Sequence, residues 1–296
     1  MQSENIQSAF YMMLGMMGFA VNDAFMKLVL ADLNLYQSIF VRGIFATAFL
    51  GILAVRSDAL KNSRQHFNRH IIVRTLCELG GTIFFLTALV HVSLADASAV
   101  LQVMPLAVTL AAALFMREAV GWRRYLAILI GFFGVMLVIQ PDGSSAEGGG
   151  FNIYFLMLFG TIACMVVRDL TTRRISPNIP SMFIAFYTSL AVMLMGAILS
   201  VFEPWKVITL VHMAMLAGAA VFIFLGYIGT VMAMRLGDVG FVAPFRYTYL
   251  VWAMALSIFV FADYPDAYTL IGSGIVVTMG IYSFLRERKL MKTKAA

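Results

Sequence analysis

LADASAVLQVMPLAVTLAAALFMREAVGWRRYLAILIGFFGVMLVIQP, from Leu94 to Pro141, holds two long apolar runs joined by one charged turn, Arg117-Glu118-Ala119-Val120-Gly121-Trp122-Arg123-Arg124. A hydrocarbon core roughly 30 Å thick takes about 20 mostly apolar residues of helix to cross, and each run has that length. A fainter copy of the pattern returns near the end of the chain, from Leu236 onward.

The rest of the chain is built the same way. Of its 296 residues, 61% are hydrophobic and 12% charged, with a mean hydropathy of +0.90. Soluble domains carry about 25% charged residues. This chain therefore lacks the polar material to cover a soluble surface. Ten spans are predicted, over 8–30, 35–55, 70–90, 95–116, 123–140, 151–172, 180–202, 208–233, 239–262 and 267–286. They are helices, because lipid offers no partners to an open backbone. Membrane strands alternate in polarity, and these runs do not. Residues 1–8 show no basic region or cleavage signature, so no removable signal peptide is expected. Cys77 and Cys164 lie inside apolar segments and read as small fillers.

The net charge of +6 is not a nucleic-acid footprint, because the basic residues sit in short loops between spans. Arg56, Lys61, Arg64 and Arg69 fall in one loop, Arg117, Arg123 and Arg124 in the next but one. Arg173 and Arg174, then Arg235, then the tail with Arg286, Arg288, Lys289, Lys292 and Lys294 continue the series. The intervening loops hold Asp32, Asp142, Glu147, Glu203, Asp263 and Asp266, with Lys206 their one basic residue. By the positive-inside rule both termini face the cytoplasm of a bacterial inner membrane.

The chain also repeats. Leu94-Ala95-Asp96 opens span 4 and Leu236-Gly237-Asp238 opens span 9. Pro105 and Pro244 follow, and each copy ends in a glycine-bearing helix. Five spans is an odd number, so the second set enters the membrane inverted, an arrangement on which many secondary transporters are built. The expected division is a first repeat over 1–140, an extracytoplasmic linker over 141–150, a second repeat over 151–287 and a basic cytoplasmic tail over 288–296.

Ionisable groups inside a span are costly and mark functional positions. Arg74 and Glu78 stand four apart in span 3 and read as a local ion pair that also lines a path. Arg42 in span 2 has no acidic neighbour in sequence; its planar fork suits a carboxylate or phosphate. Asp23 follows Asn22 in span 1, and Arg168-Asp169 takes a comparable place in span 6. In span 9, Arg246, Tyr249 and Trp252 follow Pro244 and offer a cation and rings to an amphipathic solute. Gln102 is the neutral polar group in the matching part of span 4. Asp96 and Asp238 read as helix caps, and Lys27 as a residue whose amine reaches the outer surface. The glycines of spans 3, 5 and 8 read as points of close helix contact. His66, His70, His91 and His212 are scattered, no phosphate-binding loop is present, and neither an enzyme nor a cofactor or metal is expected.

On these residues the chain resembles the drug/metabolite transporter superfamily, specifically its EamA-like ten-helix members. The resemblance rests on Leu89, Leu94-Ala95-Asp96-Ala97-Ser98-Ala99, Pro105, Arg117-Glu118 with Gly121-Trp122-Arg123-Arg124, and Gly131-Phe132-Phe133-Gly134-Val135 running to Pro141. Leu236 to Gly240 and Pro244 carry it in the second half. Asp263 and Pro265 depart from it where a glutamate is typical, and Arg246-Tyr247 replace apolar or small residues. The resemblance implies two inverted five-helix repeats. Spans 1–4 and 6–9 surround a cavity, and spans 5 and 10 serve packing or self-association as a homodimer.

The function expected is a secondary active transporter that exports a small amino-acid-like or zwitterionic metabolite by alternating access. Arg42 or Arg246 meets a carboxylate, and Glu78 or Asp23 meets an amine or takes a proton. Coupling to a proton gradient is one reading of the buried carboxylates; permanent ion pairing is the other. An anionic or nucleoside-containing solute is the alternative substrate, and a solute channel the alternative from another class.

Overall fold

A computed structural model describes residues 2–61, 67–115, 121–140, 153–176, 178–236 and 239–295, and the side chains within 4–286 of that set apart from 235, 239 and 240. The linker 141–150, together with Arg64, His66, Arg117, Glu118 and Asp238, lies outside the described residues.

The described structure is helical and free of strands, with ten helical stretches long and apolar enough to cross a membrane. Span 1 is Glu4–Asp32, span 2 Leu35–Arg56, span 3 Arg69–His91, span 4 Leu94–Phe115 and span 5 Trp122–Ile139. Span 6 is Ile153–Thr172, span 7 Ser181–Phe202, span 8 Leu210–Met234, span 9 Ala243–Phe261 and span 10 Ala267–Arg286. Leu210, Phe202 and Phe259 are 87%, 81% and 86% exposed, as lipid-facing side chains must be; in water such a surface marks an aggregation site. The chain is a multi-pass membrane protein.

The way the spans pair explains the repeat. Span 1 packs along span 8, and span 3 along span 6. Span 2 lies against span 7, span 4 against span 9, and span 5 against span 10. Exchanging each span for the one five places away turns every pair into itself or into another of the set. The lesser contacts obey the same exchange: span 1 touches span 9 as span 6 touches span 4, and span 2 touches span 8 as span 7 touches span 3. Two equivalent five-helix units related by a twofold operation produce this pattern.

Described loop ends meet others of the same charge series. Asn34 Nδ2 donates to the Pro204 carbonyl at 2.6 Å, and Gln37 exchanges two bonds with the Lys206 backbone at 2.8 and 3.1 Å. Gln140 binds Asp266, and the His91 ring stacks 3.7 Å from that of Tyr154. All of these join loops of the acidic series. On the other side Phe67 packs against Phe183 and Tyr187, joining two basic-series ends.

Spans 1 and 8 cross through Gly15, Gly18, Gly226 and Gly229. A Cβ on Gly18 would stand 2.7 Å from the Phe222 carbonyl oxygen, so backbone lies directly on backbone there. Small residues give helices this approach where dispersion drives association.

Two expectations are corrected in detail. Ser93, not Asp96, caps span 4, its hydroxyl accepting from the Asp96 N–H at 2.9 Å. The Asp96 carboxylate instead accepts from Thr269 of span 10 at 2.6 Å. Lys27 turns inward and donates to the carbonyls of Leu89, at 3.1 Å, and Val92, closing the C-terminal end of span 3.

Candidate functional site

Span 4 is interrupted at its middle, and span 9 is irregular at its start. Span 4 breaks between helices Leu94–Leu101 and Met104–Phe115, with Gln102 and Val103 in a turn. Span 9 begins with a tight 3-10 segment, Ala243–Tyr247, before helix Thr248–Phe261. Pro244 explains the second: its nitrogen carries no hydrogen for the helical ladder. Interrupted helices near the midplane survive where protein or a cavity satisfies them.

Beside these breaks the polar side chains form two groups. The first is nearer the acidic side and joins spans 1, 2 and 9. Tyr249 donates its hydroxyl hydrogen to Asp23 Oδ2 at 2.6 Å, and Asn22 Nδ2 donates to Asp23 Oδ1 at 2.9 Å. Arg42 Nη1 donates to Asn22 Oδ1 at 3.3 Å. Asn22, Asp23 and Arg42 are each less than a tenth exposed. Asn22 thus stands between the carboxylate and the guanidinium, and no ion pair within 4 Å joins those two among the described residues. Opposite charges held close but bridged by a neutral amide can each turn to a solute's own charges.

The second group is nearer the basic side and joins spans 3, 6, 7 and 9. Glu78 pairs with Arg168 of span 6 at 3.2 Å. This corrects the local pair expected with Arg74. Arg74 Nη1 instead donates to Thr188 of span 7 at 2.8 Å, and its buried Nε has no hydrogen-bond acceptor. Arg168 also binds Asp169 at 2.9 Å. Arg246 lies within electrostatic reach of Asp169 and Arg168, and Arg42 within reach of Glu78, which links the two groups.

Of the residues expected from the sequence, Asp23, Arg42 and Tyr249 come together in the first group and Arg74, Glu78 and Arg168 in the second. Arg246 lies beside the second and is exposed. Gln102 is buried at the break in span 4, with no described side-chain hydrogen bond. Trp252 is 37% exposed and has no described polar partner, so the structure does not bring it to either group. Thr188 was not foreseen, because a lone hydroxyl in an apolar span carries no charge signal. Its register does carry one: Thr188 stands seven residues past Ser181 at the start of span 7, as Arg42 stands seven past Leu35 at the start of span 2.

The two groups differ in access. Arg168, Glu78 and Asp169 are 22%, 27% and 31% exposed, while Asp23 and Arg42 are buried. Contacts between the halves crowd the acidic side: Asn34 to Pro204, Gln37 to Lys206, His212 to Asp32, Asp96 to Thr269 and Gln140 to Asp266. This conformation is tied at the acidic side and polar toward the basic side. Among the described residues no three His, Cys, Asp or Glu side chains cluster to hold a metal ion.

Ten crossings, a twofold pairing of spans and charge buried within them fit a membrane transporter. The chain matches the EamA-like transporter family over residues 6–140 and 152–285, and it belongs to that family. It is a transporter rather than an enzyme. It is 22% identical over 96% of its length to the S-adenosylmethionine uptake transporter of Rickettsia bellii, covering 95% of that protein. It is 25% identical to the pseudopaline exporter of Pseudomonas aeruginosa, covering 92% of this chain and 93% of the other. The riboflavin transporter of Vibrio cholerae is 23% identical, with 92% and 91% covered. A solved crystal structure overlays on 94% of this chain and 98% of its own at a TM-score of 0.63 and 18% identity, which shows the shared fold.

Proposed function

We propose that the protein is a secondary active transporter that exports a small amino-acid-like, zwitterionic metabolite by alternating access. The observation that carries this reading is the Arg42–Asn22–Asp23–Tyr249 chain: a buried guanidinium and a buried carboxylate on adjacent spans, not paired with each other. A zwitterion brings the two complementary charges. Its carboxylate takes the Arg42 fork and its amine the Asp23 carboxylate, while the Tyr249 hydroxyl fixes Asp23 in place. Desolvated charge-assisted bonds of this kind contribute most when both partners are present.

The transport unit in this reading is residues 1–140 and 151–287, joined by the linker 141–150 and followed by the tail 288–296. In this reading the membrane is the bacterial inner membrane and both termini face the cytoplasm, on the side of the basic loops. The conformation described is then the one open to the cytoplasm. A homodimer through spans 5 and 10 is checked by the mass of the detergent-solubilised protein.

One observation favours a second substrate class. S-adenosylmethionine joins an amino-acid head to an adenosyl group, and riboflavin carries a flat ring system. Arg246 and Tyr249 stand along one span where such a ring would rest. The test is counterflow in sealed proteoliposomes without ATP, with labelled amino acids and nucleoside-bearing zwitterions, each with and without a pH gradient. Saturable exchange of zwitterions supports the reading, and dependence on the gradient adds proton coupling. Exchange confined to anions or neutral solutes overturns it, and unsaturable flux points to a channel.

A further inference from the structure

On the basic side, outside both polar groups, Gly121, Trp122, Arg123, Arg124 and Arg286 line a cavity of about 260 Å³ at the seam of spans 5 and 10. Arg123 and Arg286 bring guanidinium groups to it from the two spans. Arg123 lies over the Trp122 ring, 5.4 Å from its centre. Span 5 starts here with Gly121 as its N-cap, and no described side chain caps it. The positive end of an 18-residue helix therefore adds to the arginines.

The surface running from this cavity toward the membrane centre is apolar and open. Leu126, Leu129 and Phe133 of span 5 are 48%, 67% and 60% exposed, and Leu285 of span 10 is 52% exposed. Trp122, 70% exposed, marks the interfacial level where amphipathic rings settle. A concave cluster of cations at headgroup depth, continuous with an apolar wall, is complementary to one class of molecule.

We propose that this cavity binds the headgroup phosphate of an anionic phospholipid from the leaflet on the basic side, with its acyl chains along Leu126, Leu129 and Phe133. Basic recesses between spans at this depth suit such headgroups. Bidentate guanidinium bonds hold the phosphate, and a zwitterionic lipid brings its own cation into the same recess and is disfavoured. The site clamps spans 5 and 10 together without touching the solute path.

Native mass spectrometry of the full-length protein, with phosphatidylglycerol and phosphatidylcholine added in equal amounts, tests it. Phosphatidylglycerol should be retained in preference. Neutralising a juxtamembrane cation weakens anionic-lipid binding about fivefold, so Arg123→Gln with Arg286→Gln should cut retention about 25-fold. Arg123→Lys with Arg286→Lys, which keeps the charge but loses the paired donors, should fall between the wild-type protein and the Gln variant. Arg56→Gln with Arg69→Gln, on the same side but away from the cavity, should leave retention unchanged. Equal retention of the two lipids, or full retention in the Arg123→Gln, Arg286→Gln protein, overturns the proposal. An equal loss in the Arg56→Gln, Arg69→Gln protein overturns it in favour of diffuse surface charge. Displacement of the lipid by millimolar inorganic phosphate overturns it in favour of a free-anion site.

Discussion

Replacing Gly18 with alanine adds one methyl group at the crossing of spans 1 and 8. The new Cβ would stand 2.7 Å from the Phe222 oxygen, 2.8 Å from the Gly226 nitrogen and 3.1 Å from the Gly226 Cα, and ordinary contact begins at 3.4 Å. The helices must therefore separate by about 0.7 Å, since all three neighbours are backbone and cannot rotate away. Overpacking of this kind costs about 1–3 kcal/mol. Against it stands the gain of about 0.5–1 kcal/mol that alanine brings over glycine inside a helix. Gly274 in span 10 isolates that second effect, because a Cβ there meets nothing within 4 Å. Thermal unfolding of detergent-solubilised variants separates the two. Gly18→Ala should melt below the wild-type protein and Gly274→Ala at or above it. If Gly18→Ala is as stable as wild type, or Gly274→Ala loses as much, the crossing of spans 1 and 8 is misplaced.

Tyr249→Phe removes the hydroxyl that binds Asp23 at 2.6 Å; a bond to a charged group contributes about 1.5–3 kcal/mol to stability, so the detergent-solubilised variant should melt below the wild-type protein. Arg168→Gln leaves Glu78 and Asp169 without their shared cation and should destabilise more than the double variant Glu78→Gln, Arg168→Gln, as unfolding of the single and double variants will show. Asp266 lies outside the spans. Partial burial alone would raise its carboxyl, but bonds from the Thr269 and Tyr268 N–H groups and from Gln140 outweigh that and hold it below the ordinary 3.8. A carboxyl depressed in the folded state stabilises above its unfolded value, and that contribution is lost as pH falls through the folded value. Melting temperature should therefore drop on acidification below about pH 4, and Asp266→Asn should flatten that drop.

Spans and repeat were legible because each rests on a signal the bilayer forces into the sequence: run length, and an odd number of crossings per copy. The site was legible only as single charges. Nothing in the order of residues shows that Glu78 reaches Arg168 across to span 6, because four-residue spacing on one helix makes Arg74 the obvious partner. Span 7 packs against both span 2 and span 3, and its Thr188 takes the Arg74 fork instead. Asp96 misled in the same way. Its position suits a cap, yet Ser93 one turn earlier has the right geometry, and the carboxylate is left to tie spans 4 and 10. Trp252 followed Tyr249 by three residues, close to one helical turn, but only Tyr249 has a buried acceptor to hold it.

The measurement that bears most directly on the central idea, two five-helix units alternately opening one polar passage, is transport with the acidic side locked. In a protein lacking Cys77 and Cys164, cysteines at Gln37 and Lys206 would replace the contact that ties span 2 to the loop before span 8. A short reducible crosslinker then bridges them. The account predicts that the linked protein still binds solute from the basic side, carries none, and recovers on reduction. Undiminished counterflow in the linked protein would contradict it.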